Sequence, residues 1–319
     1  MTNIKDLAKR AGVSVTTVSR VLNQHPYVSE AKRIKVERAI EETGYLQNIN
    51  AVHLSKGKTN LIGVVLPFLD HPYFAQVLIG VSEQAKIKGQ TLVLFPTNYE
   101  IEKEQAALRM LRQKQLDGVI ICSRVSPLPV LEDYVQYGPI TLLEQRQSDH
   151  FSSVFVDHQA IFTRALEYLY DQGHRDIGYT IYRRNGTHST VREKAYRTFL
   201  ERHRLPFNPD YCFDGALYLE DSKAVWQKLK TLKHPPTALL VTSDQVAAGL
   251  VIHAEAFNIA IPKACAIIGL NDEPIAKALN LTTIRIPLKA MGEKLLDHVL
   301  SSEREHTSFD VTLIERQTV

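Results

Sequence analysis

Cysteine is scarce in this 319-residue chain: Cys122, Cys212 and Cys265 stand far apart, in or beside apolar runs. The spacing excludes a disulfide framework and a thiolate metal site, and suits buried thiols in a reducing cytoplasm. Long apolar runs are missing too; none approaches the ~18 residues of a membrane-spanning helix. The first residues include acidic Asp6 and lack the apolar segment of a secretion signal, so neither export nor a membrane partner is expected. Nor is there a GxSxG elbow, a GxxxxGK phosphate loop followed by Ser or Thr, an HExxH pair or a CxxC pair. Without these groupings no enzyme activity, no cofactor and no metal site is expected. No short internal repeat or low-complexity segment interrupts the chain.

Net charge is small but unevenly placed. It amounts to +3 at neutral pH, yet residues 1–60 hold 10 Lys and Arg against 5 Asp and Glu, and the remainder holds 28 against 30. The cationic excess therefore sits in the N-terminal region, where a polyanion would bind. A length of 319 residues, 44% of them apolar, suits a small module joined to a body of two lobes.

The run from Ile4 to Asn23, IKDLAKRAGVSVTTVSRVLN, is the most informative stretch. At about 100° per residue, Ile4, Leu7, Ala8 and Ala11 share one face of a helix that Asn3 can cap and Gly12 can end. Ser14 can cap a second helix, in which Val18, Val21 and Leu22 cluster on one side while Val15, Thr16, Ser19 and Arg20 fall on the other. The first side is core and the second is free to touch something, as in a helix-turn-helix that sets its second helix in the DNA major groove. A third helix, capped by Ser29 and running through Thr43 to Gly44, would complete a module over residues 1–46.

GVSVTTVSRVLN resembles, at nearly every position, the headpiece signature of the LacI/GalR family of bacterial transcription regulators. The resemblance implies that Val15, Thr16 and Arg20 sit where base edges are read, with Asn23 closing the DNA-facing set. Chemistry divides the roles: Arg20 can donate two bonds to a guanine, Thr16 can reach a base or a phosphate, and Val15 can pack on a thymine methyl. Thr17 and Ser19 suit phosphate oxygens, which set register without reading sequence. Residues 47–59, in QNINAVHLSKGKTN, read as a flexible linker by composition alone. Relatives carry there a hinge helix of the form PNxxARxL; Asn48, Ala51 and Leu54 match it, with Leu54 as the wedge that enters the minor groove. Gln47 and Val52 stand in place of the usual Pro and Arg, so His53, Lys56 or Lys58 would supply the phosphate contact.

From Leu61 onward, apolar runs of strand length (LIGVVLP, TLVLF, GVIIC, PITLL, SVFV, IGYTIY, TALLV, AIIGL) alternate with helical patterns near 73–88, 100–115, 128–137, 158–172, 189–204, 221–232 and 244–257. Continuous apolar strands between helices imply parallel sheets covered on both faces, and so many units imply two doubly wound lobes. Thr282 to Val319 adds a strand, a helix near 288–301 and the strand run FDVTLIE. The expected fold is therefore α/β: a three-helix helix-turn-helix headpiece with a hinge helix, then two doubly wound parallel-sheet lobes over residues 60–319. This body resembles the periplasmic-binding-protein-like core of the same family, in which the chain crosses between lobes near Asp157, near Pro287 and before the final strand. That implies one lobe of about 60–157 and 288–303 and another of about 158–287 and 304–319.

Ligands of open α/β lobes bind beyond the carboxyl ends of strands. Residues there include Tyr73 and Phe74 of HPYF, Ser123 and Arg124, Glu144 and Arg146, Asp157, Arg183 and Asn271. Carboxylates, amides and guanidinium groups beside aromatic faces suit a small polyhydroxylated or anionic ligand. Tyr73 and Phe74 equally suit core packing, and Asp70, Asn98 and Asp272 equally suit turns. The resemblance adds Arg192, four residues before Tyr196, and Asp244 of TSDQVAAG as ligand-facing groups. Asn271 replaces the family's Asp in GLND, which removes a carboxylate and favours an anionic ligand. Ala216 stands where relatives often offer an aromatic, with Tyr218 as a substitute. Trp226 reads as packing, and His174 of DQGHRDIGY as a structural turn residue.

These readings predict a cytoplasmic, effector-responsive transcription regulator, a repressor, bound as a homodimer to a pseudo-palindromic double-stranded operator. Its effector would be a small polar metabolite: a sugar, a sugar acid or a sugar phosphate. A purine or nucleoside corepressor, or a protein co-effector, is the alternative. A solute-binding receptor shares the body, but lacks the headpiece and needs an export signal. No heptad pattern follows the last strand run before Val319, which predicts a dimer without a tetramerising bundle.

Overall fold

Capping chemistry starts and stops the N-terminal helices. The Lys5 and Asp6 amides donate to Asn3 Oδ1, and the Asn3 amide donates back to the Asp6 carboxylate, which opens α1, Ile4–Ala11. Gly12 ends it in the left-handed region, at φ 64°. The Thr17 amide donates to Ser14 Oγ at 3.1 Å and opens α2, Val15–Leu22. Helix α3, Glu30–Thr43, follows Ser29; contrary to the expectation for a serine there, its side chain makes no capping bond. Leu7, Val18 and Val36 meet fully buried between the three helices, with Ala8 and Ala39 filling the gaps. The computed structural model describes residues 3–46, 57–145 and 148–319, and the chain divides into two units, Met1–Thr59 and Asn60–Val319. The hinge positions Asn48, Ala51, Val52, His53 and Leu54, as well as Arg146, lie outside the described residues.

The second unit is built on two sheets. In the first, β1 (Leu61–Leu66) pairs in parallel with β2 (Thr91–Pro96) on one side and β3 (Gly118–Ile121) on the other, followed by β4 (Ile140–Leu142) and β5 (Ser152–Phe155). The connections are α4 (Pro72–Lys88), α5 (Ile101–Arg112) and the short α6 (Leu128–Glu132). Period-two alternation puts Ile62, Val64 and Leu66 of β1 on one face with Val77 and Val81 of α4, and Val65 on the other with Leu108 and Leu111 of α5. Both faces are thus covered, which is why the strands read as unbroken apolar runs.

The chain then leaves for the second lobe through α7 (His158–Asp171), β6 (Ile177–Thr180), α8 (Thr187–His203), the two-residue β7 (Cys212–Phe213), α9 (Ser222–Thr231) and β8 (Ala238–Leu240). It continues through α10 (Asp244–His253), β9 (Ala266–Asn271), α11 (Pro274–Ala278) and β10 (Thr282–Arg285), giving the parallel order β10-β9-β8-β6-β7. It returns to the first lobe at α12 (Leu288–Leu300), which lies against α4. Two glycines allow that approach: a Cβ at Gly80 would collide with the Lys289 carbonyl, and one at Gly292 with the Val77 carbonyl.

One expected boundary moves. The family resemblance implies that everything from about residue 304 belongs to the second lobe, with one final strand. Instead β11 (His306–Ser308) pairs in parallel with β5 and extends the first sheet, and only β12 (Thr312–Ile314) crosses over, antiparallel to β10. The third crossover therefore falls between Ser308 and Thr312. The strand at 306–308 is polar, exposed at both ends and anchored by Ser153 Oγ, 2.8 Å from His306 Nδ1, so it carries no apolar signal.

Candidate functional site

The first candidate surface is the outward side of α2. Val15 is 39% exposed at its start, Thr16 and Arg20 are exposed, and Thr17 and Ser19 are partly covered. The caps explain the covering: Thr17 Oγ1 lies 2.9 Å from Ser14 Oγ, and exposed Asn23 turns its side-chain amide back to donate to the Ser19 carbonyl at 2.8 Å. Val15, Thr16 and Arg20 thus stand free at the surface, while Thr17 and Asn23 are engaged in holding the ends of the helix.

The second candidate is a cleft between the two lobes of the body, enclosing about 990 Å³ with its mouth. It opens beyond the carboxyl ends of the strands, where backbone and side-chain donors converge. The first lobe contributes Tyr73 and Phe74 from the start of α4, Tyr99 after β2, Ser123 and Arg124 after β3, and Glu144 after β4. The second contributes His158 at the start of α7, Arg183 after β6, the first turn of α8 with His188 and Arg192, and Asn271 at the end of β9.

Charge in this cleft is largely arranged in pairs. Arg124 Nε and Nη2 donate to the two Glu144 oxygens at 2.7 and 3.0 Å, and its Nη1 donates to the Ser126 carbonyl. The loop that carries Arg124 is held from behind by the fully buried Glu104, which accepts the Val125 and Ser126 amides at 2.6 and 2.9 Å. Across the cleft, the Arg183 guanidinium stacks 3.3 Å from the Tyr99 ring centroid, a cation–π contact between lobes. Asn98 and Tyr99 both adopt positive φ, 48° and 61°, an uncommon backbone for a tyrosine that directs its ring to the lobe junction. At the mouth the Tyr218 hydroxyl donates to Asp70 Oδ1 at 2.9 Å, and Phe68 meets Tyr99, Tyr182 and Tyr218 edge-on.

Arg192 differs from Arg124 and Arg183. Its Nε is buried without a hydrogen-bond partner among the described residues, and its Nη2 lies 3.5 Å from His158 Nδ1. Desolvation draws its pKa down to about 10. The His158 and His188 rings sit 4.1 Å apart beside it. Burial, reinforced by the neighbouring positive charge, holds His158 well below its ordinary value and His188 at about 4, so both are neutral at physiological pH.

Of the ten positions singled out for an effector, Tyr73, Phe74, Ser123, Arg124, Glu144, Arg192 and Asn271 line the cleft; Asp157 and Asp244 do not. Asp157 is exposed and accepts the Ala160 amide as the cap of α7. Asp244 is fully buried behind the site: its carboxylate accepts the Glu273 amide and the Thr283 hydroxyl, both at 2.8 Å. Glu273 in turn accepts the Asn271 side-chain amide at 3.1 Å, so Asp244 acts on the cleft wall only at second hand. Burial pushes the Asp244 carboxyl up to about 8. Residues that sequence reasoning passed over are His158, His188 and Tyr99. His158 directly follows the strand-end Asp157, a signal that position alone could have supplied. His188 and Tyr99 carry none, because only the fold turns them inward. Trp226 is fully buried and donates to the Leu250 carbonyl, and His174 bonds Thr237 Oγ1 in a turn, both structural.

Comparison with known proteins matches both units of the chain. Residues 3–48 match the family model described as bacterial regulatory proteins, lacI family, and residues 59–318 match that of periplasmic binding proteins and sugar binding domain of LacI family. The chain is 42% identical over 323 residues to the uncharacterized HTH-type transcriptional regulator YkvZ of Bacillus subtilis, covering all of both proteins. It is 31% identical over 321 residues to the NTD biosynthesis operon regulator NtdR of the same organism, covering 100% of this chain and 98% of that one. Among solved structures, a LacI family transcriptional regulator from Lactobacillus casei with bound sucrose is similar at TM-score 0.74 and 25% identity, over 81% of this chain and 99% of that one.

Proposed function

The chain belongs to the LacI family of bacterial regulatory proteins; from that premise we propose that it is a cytoplasmic repressor whose operator affinity is set by a small polar metabolite in the interlobe cleft. It is a transcription regulator with an effector-binding domain and not an enzyme. The observation that carries the reading of an effector-responsive DNA-binding regulator is the pairing, in one chain, of an exposed Val15–Thr16–Arg20 face on a capped helix with a two-lobed body that holds a cleft. A sugar, sugar acid or sugar phosphate suits that cleft, where Tyr73 and Tyr182 supply aromatic lining and Ser123, Arg192 and Asn271 offer polar groups. The sucrose held by the Lactobacillus casei regulator supports a polyhydroxylated ligand.

In this reading the protein acts as a homodimer on a pseudo-palindromic duplex, with one α2 in each of two successive major grooves and Leu54 of each hinge in the central minor groove. Ile79 and Ile87 on α4, 41% and 75% exposed, and Leu94 on edge strand β2, 39% exposed, are apolar side chains that support burial against a second copy. Effector and operator are then linked through a reciprocal coupling of ~1–3 kcal/mol. Selection of binding duplexes from a random pool tests the reading. It should return a two-fold symmetric site bound by two chains; a pool without symmetry, or binding by one chain, would contradict it.

A further inference from the structure

Accepting the cleft as the effector site, we propose that the effector is a phosphate monoester of a small polyol or sugar, with its phosphate seated at the first turn of α8 between Arg192, His158 and His188. Four features of this corner converge on that group. Among the described residues Arg192 has no carboxylate partner, whereas Arg124 is neutralised by a two-bond pair with Glu144, and Arg183 is spread over the Tyr99 ring. The buried Arg192 Nε points to a missing acceptor, since a guanidinium N–H withdrawn from water is costly to leave unmade. The 17-residue helix α8 opens at Gly186 with no side-chain cap, so the N–H groups of its first turn and the positive end of its dipole face the same space; Gly186, Thr187, His188 and Ser189 all line it. The two imidazoles add donors that become stronger on protonation. Several donors around one point suit a group with three terminal oxygens better than a hydroxyl or a two-oxygen carboxylate.

The same geometry couples the effector to protons. His158 faces His188 and Arg192; His188 faces Arg192 and, across the cleft, Glu144 and Arg124; Arg192 in turn faces Tyr73 and Tyr99. Burial first, and the Arg192 charge second, keep both rings neutral in the empty cleft. A dianion placed beside them reverses the sign of the local field, so binding draws a proton onto the pair.

The test uses the full-length protein and four probes of matched ionic strength: inorganic phosphate, glucose 6-phosphate, gluconate and glucose, followed by calorimetry in buffers of differing ionisation heat and by 31P NMR. The expected result is saturable binding of inorganic phosphate and glucose 6-phosphate, one per chain, roughly 10- to 100-fold weaker in Arg192→Gln, with proton uptake that Arg192→Lys retains and His188→Asn loses. Phosphate binding insensitive to all three variants marks an adventitious ion only and overturns the proposal. Binding of gluconate or glucose in preference to the phosphates, or of no probe, overturns it as well, and in the first case leaves the cleft as the effector site. Phosphate binding that needs Arg192 but leaves operator affinity unchanged sustains the subsite and contradicts the repressor reading instead, so the two failures are distinct.

Discussion

Replacing Asp244 by alanine separates a ligand-facing carboxylate from a positioning one. In the structure this carboxylate lies fully buried and accepts the Glu273 amide and the Thr283 hydroxyl. Its loss orphans two buried donors at about 1–3 kcal/mol each, partly offset because a desolvated carboxylate is removed as well, for a net cost of about 3 kcal/mol. For a body of this size that lowers the melting temperature by about 6 °C. The cost also depends on pH. Burial raises the folded-state pKa from the ordinary 3.8 to about 8, so between those values the native state holds a proton that the unfolded chain has released. Stability from this group is therefore fully present below the lower value and is lost as pH rises through the upper one. Melting curves of parent and Asp244→Ala, followed by circular dichroism from about pH 5 to pH 9, should show the gap narrow as pH rises. A variant that melts within about 2 °C of the parent at pH 6, or a gap that does not change with pH, would refute the assignment.

Three further outcomes follow from particular contacts. Gly80→Ala forces a methyl onto the Lys289 carbonyl where α4 meets α12, and should cost about 1–3 kcal/mol in thermal or urea unfolding; a neutral result would show that the helices can separate freely. Arg20→Ala should lose about 1–3 kcal/mol of discrimination between the selected duplex and one altered at the contacted base, with the melting temperature unchanged; uniform weakening on all DNA would make Arg20 a phosphate contact. Tyr218→Phe removes the bond to Asp70 at the mouth of the cleft and should favour lobe opening by about 1 kcal/mol, read as a larger radius of gyration in X-ray scattering without ligand. An unchanged scattering curve would show that the remaining contacts, those of Phe68 and the Arg183–Tyr99 stack, hold the lobes together.

Much of the architecture was legible because it rests on local or periodic signals. The caps at Asn3 and Ser14 and the turn at Gly12 are chemistry of single residues, and the central strands are unbroken apolar runs because helices cover both faces. The polar strand at 306–308 escaped for the opposite reason: it sits at the edge of a sheet and is held by backbone pairing and by Ser153. In the cleft, strand ends pointed to Tyr73, Arg124, Glu144 and Asn271, since the topology dictates where strand ends gather. What no pattern revealed is direction. Asp244 and Asp157 are strand-end or helix-start residues like the others, yet one turns into the protein to hold the Glu273 amide and the other caps its own helix. His188 turns inward only because α8 enters the cleft by its first turn.

The most direct test of the account is the affinity of the selected duplex for the protein, measured by fluorescence anisotropy with and without the tightest cleft ligand from a panel of sugars, sugar acids and sugar phosphates. The account predicts a change of about 5- to 150-fold in the dissociation constant, matched by an equal change in ligand affinity when the duplex is present. A ligand that saturates the cleft and leaves the duplex affinity unchanged would contradict it.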